Sequence, residues 1–189
     1  MAERLFAGSY HTVHDHLLRS AIERVRALPD VELLSPGLGG TLNKIADDAQ
    51  FHVATLRAKD AHGTRRKEMR KRRDYGQTID VEVSFIEVSI PFSGDPQSLK
   101  FAPSQSTMID LPTEIRNGTL VIHLPDGDNF DRDLDSFVSL VQGNLDRLTK
   151  EAAGLRDMIR SQIGAFADQR IAEAKARKDR DSKRGIPIS

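Results

Sequence analysis

Residues 79–92, which read IDVEVSFIEVSIPF, contain the clearest strand pattern in the chain. Hydrophobic residues occupy the odd positions up to Phe85 and the even positions after it. An alternation with a period of two predicts a strand with one buried face, and the change of phase predicts either a bulge or a change of the buried face. Because Pro91 has no amide donor, we expect the strand to end there.

The flanking sequence indicates the other elements of an α+β fold. Shorter extended segments occur at 99–101 and 119–124, and Asn117-Gly118 before the second is a strong hairpin signal. Upstream, the segments from Ser9 to Leu28 and from Thr41 to Leu56 have the hydrophobic spacing of helices. We therefore predict a small, mostly antiparallel sheet with N-terminal helices and a long C-terminal helix or helical hairpin.

The last third of the chain has the spacing of a helical seam. Its hydrophobic residues recur at intervals that alternate between four and three, as in a coiled coil. The predicted core or self-association positions are Leu134, Val138, Val141, Leu145, Leu148, Leu155 and Ile159. One unbroken helix would exceed what a small domain can cover. It therefore either folds back near Gly154 or Gly164, or pairs with another chain.

Changes in charge and periodicity divide the chain into five segments, which we expect to form one structural domain. They are an N-terminal helical segment (1–64), a basic linker (65–77), a sheet region (78–128), a long helix or hairpin (129–184) and the start of a linker to a further C-terminal region (185–189).

Composition excludes several classes of protein. The 189 residues include 28 basic and 28 acidic side chains, so the formal net charge is zero, which argues against a general polyanion binder. The absence of Cys excludes disulfides and thiolate chemistry. No hydrophobic run has the length of a transmembrane helix, and the N-terminus does not resemble a signal peptide. We expect a cytoplasmic protein without a membrane partner.

The basic run RRKEMRKRR at 65–73 is the strongest local charge signal. Its candidate nucleic-acid contacts are Arg65, Arg66, Lys67, Arg70, Lys71, Arg72 and Arg73. Seven cations in nine residues can neutralise several phosphates and give salt-sensitive binding. However, few aromatic residues are interleaved, so base stacking is not indicated. The alternative interpretation is a solvated linker whose charge balances the aspartate-rich block at the end of the sheet region.

Candidate catalytic and metal sites are weak. His11, His14 and Asp15 are close enough on a helix to share a metal, although such a site needs a third protein ligand from elsewhere. Surface histidines are the alternative interpretation. The aspartates at 126–131 do not match a calcium loop, because Phe130 stands where an oxygen ligand is required. We therefore predict no catalytic residues, no metal and no cofactor, and a chain that is not itself an enzyme.

Two stretches carry a family resemblance. The first is Tyr75-Gly76 followed by a strand, then Ile90–Asp95 and Phe101–Ser104; the second contains Asn144-Leu145-Asp146 and ends in Arg184–Ile188. They resemble N-terminal regions of bacterial antiviral-defence effectors that carry a C-terminal TIR or restriction-endonuclease-like domain. The resemblance implies a non-catalytic sensing or assembly module that forms a homo-oligomer or recognises another protein. A nucleic-acid-binding module built on the basic run is the alternative.

Overall fold

The computed structural model describes residues 4–74 and 76–183, with Arg72 and Asp74 described by their backbone alone. The strands are β1 (Gly8–Ser9), β2 (Thr55–Leu56), β3 (His62–Asp74), β4 (Gln77–Ser93), β5 (Phe101–Ala102), β6 (Thr113–Arg116) and β7 (Thr119–Pro125). The helices are α1 (Tyr10–Arg26), α2 (Asp30–Leu33), α3 (Leu38–Asp48), α4 (Phe130–Ala152) and α5 (Leu155–Ser182). The predicted α+β class is confirmed.

The chain forms two compact units rather than the single domain that we expected. The first, which we call the sheet unit, comprises Met1–Tyr10 and His52–Thr149. The second, the helical unit, comprises His11–Phe51 and Lys150–Ser189. Each unit therefore contains segments from distant parts of the sequence, which hydrophobic periodicity alone does not reveal.

Strand β4 is the centre of the main sheet. It pairs antiparallel with β3 from Gln77 onward, and with β7 on its other side between Phe85 and Pro91. The short strand β2 pairs with the end of β4, while β6 pairs with the outer side of β7. All of these pairings are antiparallel, as the sequence predicts.

The phase change after Phe85 is a change of the buried face and not a bulge. The register of β4 with β3 and with β7 runs without interruption through this point. Phe85 is buried on one face, whereas Val88, Ile90 and Phe92 are buried on the other. The strand also continues past Pro91, which lies opposite Thr119, because the amide of Phe92 donates to the carbonyl of Gly118 at 2.9 Å.

Two of the predicted element boundaries are wrong. The expected basic linker at 65–77 is instead most of strand β3 and the turn after it, where Gly76 adopts a φ of 85° that favours glycine. The second N-terminal helix was expected to reach Leu56, but it ends at Asp48. Leu56 belongs instead to strand β2 and pairs with Phe92. The C-terminal segment is two helices separated at 153–154, so the break lies at Gly154, one of the two positions that the sequence indicated, and not at Gly164.

A buried side-chain amide on α4 forms hydrogen bonds with the connection between β5 and β6. The side chain of Asn144 is fully buried, and its Oδ1 accepts a hydrogen bond from the amide of Thr107 at 3.0 Å. Its Nδ2 donates to the carbonyl of Thr107 at 2.9 Å, and Arg147 donates to Oδ1 at 3.1 Å. Both amide atoms are thus satisfied, which is what a buried polar group requires.

We predict that Asn144→Ala lowers the free energy of unfolding by about 1–3 kcal/mol, because the backbone amide and carbonyl of Thr107 lose the partner that holds them to α4. Urea denaturation checks this value. Gln142→Ala is the matched control on the same helix, since it removes an exposed hydrogen bond to Asp146 of 2.7 Å. We expect the control to change the stability by less than about 0.5 kcal/mol. Equal effects of the two substitutions would contradict this role of Asn144.

The helical unit has its own hydrophobic core. Its buried side chains come from α1, α2, α3 and α5, and include Val25, Leu33, Ile45, Ala46, Leu155, Ile159 and Ile163. At the surface, Arg177 donates to both carboxylate oxygens of Asp30, at 2.8 and 3.1 Å. Arg156 bonds Asp47 at 2.5 Å and Arg160 bonds Asn43 at 2.7 Å, so three arginines of α5 are tied to α2 and α3.

Among the described residues, no helix combines the length and the hydrophobic character that crossing a membrane requires.

Candidate functional site

The hairpin of β3 and β4 extends well beyond the rest of the sheet. Strand β7 accompanies β4 only from Phe85 to Pro91, whereas the pairing of β3 with β4 continues to Asp74 and Gln77. Residues 67–74 and 77–84 therefore form a two-stranded ribbon, which we call the arm. A two-stranded ribbon by itself is only marginally stable in water. An element of this kind gains stability when something packs on its face or pairs with its edge.

Both faces of the arm carry charge, and one of them also carries a hydrophobic row. Residues that pair across antiparallel strands share a face, so the register places Ile79, Val81 and Val83 on one side together with Glu68 and Arg70 of β3. Ile79 is 41% exposed, and the two valines are partly exposed. The opposite face carries Asp80 and Glu82 of β4, together with Lys67, Met69, Lys71 and Arg73 of β3.

The cations of the basic run are largely paired with carboxylates. Arg65 lies 2.7 Å from Asp126, and Arg66 lies 3.3 Å from Glu87. Lys67 lies 3.2 Å from Glu82, and Arg70 pairs with Glu68 on its own strand. Lys71 lies opposite Asp80 in the register, and the side chain of Arg72 is outside the described structure. The arm thus presents rows of opposite charge on neighbouring strands rather than a uniformly cationic surface.

Asp126 fastens the base of the arm to the sheet. The hydroxyl of Ser84 donates to its Oδ2 at 2.9 Å, and Arg65 donates to its Oδ1 at 3.1 Å. These hydrogen bonds hold the pKa of Asp126 below its usual value, with Ser84 contributing most and Arg65 next. The sequence predicted only that Asp126 belongs to an acidic turn, because its neighbours in the sequence do not indicate that Ser84, 42 residues away, is its partner.

We predict that Ser84→Ala raises the pKa of Asp126 toward 3.8, and that Arg65→Ala also raises it. Because the folded-state pKa is lowered, the stabilising contact is complete above pH 3.8 and is lost as the pH falls through the lowered value. Carboxyl-carbon NMR titration checks both variants. Titration of Asp126 at the same pH in the wild type and in Ser84→Ala would show that the hydroxyl does not hold this carboxylate.

A second polar cluster lies beside the base of the arm, on the same face as Ile79. Glu87 bonds Arg66 and lies 3.4 Å from Nε2 of His123, and the Arg66 hydrogen bond is the main reason that the pKa of Glu87 is lowered. The rings of Phe85 and His123 are 4.8 Å apart. The sequence did not predict this cluster, because its members become neighbours only through strand pairing. It extends the paired charges of the arm onto the sheet.

The structure does not assemble the metal site considered from the sequence. His14 lies 3.0 Å from Asp15, which is an ordinary contact between neighbouring side chains. Within residues 4–74 and 76–183, no group of three His, Cys, Asp or Glu side chains is arranged to hold a metal ion.

Most of the predicted seam residues are used inside the two units. Val141, Leu145 and Leu148 are buried in the sheet unit, and Leu155 and Ile159 are buried in the core of the helical unit. Leu134 and Val138 are partly buried. Leu134 lines an open groove of about 420 Å³ together with Phe130, Ile86 and Val88. The five buried positions serve as helical core and offer no surface to another chain.

Protein-family models, curated proteins and solved structures contain no match to this chain. The motifs behind the resemblance are distributed over the sheet unit: Ile90–Asp95 lies at the end of β4 and Asn144 lies on α4. Tyr75 and Arg184–Ile188 are outside the described residues. Membership of a defence effector therefore stays a prediction from the sequence.

Proposed function

We propose that this chain is a non-catalytic assembly module, and that copies of it associate through the arm. The observation that carries the proposal is the projection of 67–74 and 77–84 beyond the sheet, with the hydrophobic row Ile79, Val81 and Val83 partly exposed. The sequence led us to expect self-association through the helical seam. Burial of five seam residues within the units shifts the proposed contact from the helices to the arm.

The hydrophobic side chains of the arm support this function. Ile79, Val81 and Val83 form a continuous row along one strand, and β-branched residues favour extended structure. Burying such a row against a partner contributes roughly 25 cal/mol per Å² of apolar surface removed from water. It also orders a ribbon that is marginal alone.

The pairing of charges also favours a protein partner over a phosphate backbone. A surface that binds nucleic acid gains affinity by replacing condensed counterions with unpaired cations. Here Arg65, Arg66, Lys67 and Arg70 already have carboxylate partners. A phosphate would have to compete with those carboxylates at each position.

The first test of assembly replaces the hydrophobic row. We expect I79T/V81T/V83T to stay monomeric at concentrations at which the wild type associates, because Thr keeps the strand propensity and removes the apolar surface. Analytical ultracentrifugation over a range of concentrations measures the mass of both proteins. Circular dichroism shows whether the variant keeps its strands.

The matched control is V31T/M108T, which changes two hydrophobic side chains that are 84% and 81% exposed outside the arm. We expect this control to associate like the wild type. A wild type that stays monomeric throughout would contradict the proposal, and so would a Thr variant that associates normally.

A second candidate function is nucleic-acid binding by the basic run, favoured by the exposure of those of its cations that the structure describes along one edge strand. If it holds, affinity for duplex DNA falls steeply with salt, and R70A/K71A/R72A/R73A reduces both the affinity and the slope of its salt dependence. The control K175A/K178A/R180A/K183A removes four exposed cations of the C-terminal segment and is expected to have little effect. Equal losses of affinity in the two variants would show that binding depends on the net charge of the protein and not on the arm.

The wider setting that we propose is a prokaryotic immune effector in the cytoplasm. It is supported by the sequence resemblance, in which the assembly module precedes a catalytic domain.

A further inference from the structure

The arm leaves one row of backbone groups on β4 unpaired among the described strands. The amide of Asp126 donates to the carbonyl of Ser84 at 3.4 Å, so the backbone of Ser84 faces the side of β4 on which β7 lies. Alternate residues of a strand direct their amide and carbonyl groups to the same edge. Thr78, Asp80 and Glu82 therefore point theirs to that side as well, where no described strand pairs with them. We call residues 77–83 on this side the open edge.

The two outer edges of the arm differ in how they are protected against pairing. Natural sheets commonly guard exposed edges with Lys, Pro or a bulge. The outer edge of β3 carries the cations of the basic run. The open edge of β4 contains no Lys, Arg or Pro, and the register of β4 with β3 has no interruption there. A further strand can therefore add to the open edge, whereas the cations oppose its addition to β3.

Strand β7 determines which strands fit the open edge. It pairs with the same side of β4 from Phe85 onward, so an added strand has to end before it reaches Ser84. The β4 strand of a second copy, if it ran parallel, would continue into the space of β7. If it runs antiparallel, it ends in its own turn at this point, and the rest of the second copy extends past the tip of the first arm. Two open edges are thus compatible only when they approach antiparallel.

Backbone direction and charge limit the register of this pair. Even-numbered residues of both copies direct their backbone groups to the contact, so they have to lie opposite each other. Asp80 opposite Asp80 of the second copy would bring like charges together, which is destabilising. Val81 opposite Val81 of the second copy would place Gln77 beside Phe85, which already pairs with β7. The register that remains, apart from shorter overlaps at the tip, is centred on Ile79.

We propose that two copies of this chain form a symmetric dimer in which their open edges pair antiparallel, with Ile79 opposite Ile79 of the second copy. Asp80 of each copy then lies opposite Thr78 of the other, and these residues exchange both of their backbone hydrogen bonds. The inference rests on the proposed function and specifies its partner and geometry. The contact turns two marginal ribbons into one four-stranded sheet.

The side chains on both faces suit this register. Ile79 is 41% exposed, and it forms a non-hydrogen-bonded pair with its counterpart, whose Cα atom is then about 4.5 Å away. On the other face, Asp80 meets Thr78 rather than a carboxylate. Within each copy, Lys71 already lies opposite Asp80.

The register also leaves room for the strands of the base. Gly76 of the second copy lies opposite Glu82, so its arm ends before it reaches Ser84. Its β3 strand lies one strand farther out, in line with β6 of the first copy. That strand begins with Thr113, which is at the level of Val88 and therefore well beyond the end of the added arm.

The proposed contact closes on itself. Each copy uses the same edge, so the symmetric pair leaves no second open edge. The outer edges of the joined sheet are both β3 strands, whose cations repel a further copy. Because only residues 77–81 of the two strands overlap, the contact is at the small end of specific interfaces and is reversible. We expect the wild-type mass to rise with concentration to that of a dimer and no further.

The decisive test uses the absence of Cys from the chain. The I79C variant has one Cys per copy, and the proposed pair sets the two Cα atoms about 4.5 Å apart, within the roughly 4.4–6.8 Å that a disulfide spans. In a glutathione redox buffer, we expect its disulfide-linked dimer to form roughly tenfold faster than that of the controls, because only this position meets its own counterpart. Non-reducing gel electrophoresis follows the reaction.

Two control variants carry the same single thiol elsewhere. V81C lies on the same face of the arm, but in the proposed register its two Cα atoms are about 13 Å apart along the strands. V31C lies in the helical unit, where Val31 is 84% exposed, and measures cross-linking by random collision. A mixture of I79C and V81C reports the register centred on Asp80, in which Ile79 faces Val81.

The outcomes separate the inference from the proposed function. Fastest cross-linking of V81C, or of the mixture, would overturn the inference while leaving arm-dependent assembly intact. Equal rates in all variants, species larger than a dimer, or cross-linking that requires added nucleic acid would also overturn it. A wild type that stays monomeric at every concentration would instead remove the proposed function.

A second pair of variants tests the open edge without a thiol. T78P removes an amide that faces the open edge and not β3, so the hairpin keeps its own hydrogen bonds. M69P is the matched control, because the register places the amide of Met69 on the outer side of β3. We expect T78P to be monomeric and M69P to dimerise in analytical ultracentrifugation, both with the circular dichroism of the wild type. Dimerisation of T78P, or an equal loss in both variants, would contradict the pairing of the open edges.

Discussion

The continuous pairing of β3 with β4 is the constraint on which the sheet unit depends. The register holds from the base of the sheet to the end of the arm, and one strand therefore belongs to two environments. At its base, β4 is buried and pairs on both sides, whereas from Gln77 to Ser84 it pairs with β3 alone among the described strands. The same backbone that organises the core thus places a hydrophobic row and an open edge in solvent.

Side chains from distant segments stabilise this arrangement at two points. Asp126 holds Ser84 and Arg65 where the arm leaves the sheet, and Asn144 holds the backbone of Thr107 against α4. Both use short polar side chains that accept or donate several hydrogen bonds. These hydrogen bonds fix the positions of the segments that they join, which hydrophobic burial alone leaves variable because apolar contacts have little directionality.

Hydrophobic periodicity predicted the elements that have a buried face, whereas contacts made by strand pairing left no local trace in the sequence. The alternation around Phe85 indicated a strand with either a bulge or a change of its buried face, and the structure has the second. The basic run gave no strand signal, because an exposed edge strand has no buried face to create an alternation. The seam correctly marked α4 and α5, yet spacing does not reveal whether a hydrophobic position such as Leu145 packs within the chain or against another chain. The roles of Asp126 and Asn144 depend on partners about 40 residues away and have no local signature.

The unbroken register of the arm also makes its length adjustable. Adding two residues to each strand at the turn would lengthen the ribbon by about 7 Å and return every side chain to its original face. Adding one residue to β4 between the base and the arm would move its hydrophobic row to the other face of the ribbon. Related chains can therefore differ in the reach of this element by steps of two residues, while the base of the sheet stays unaltered.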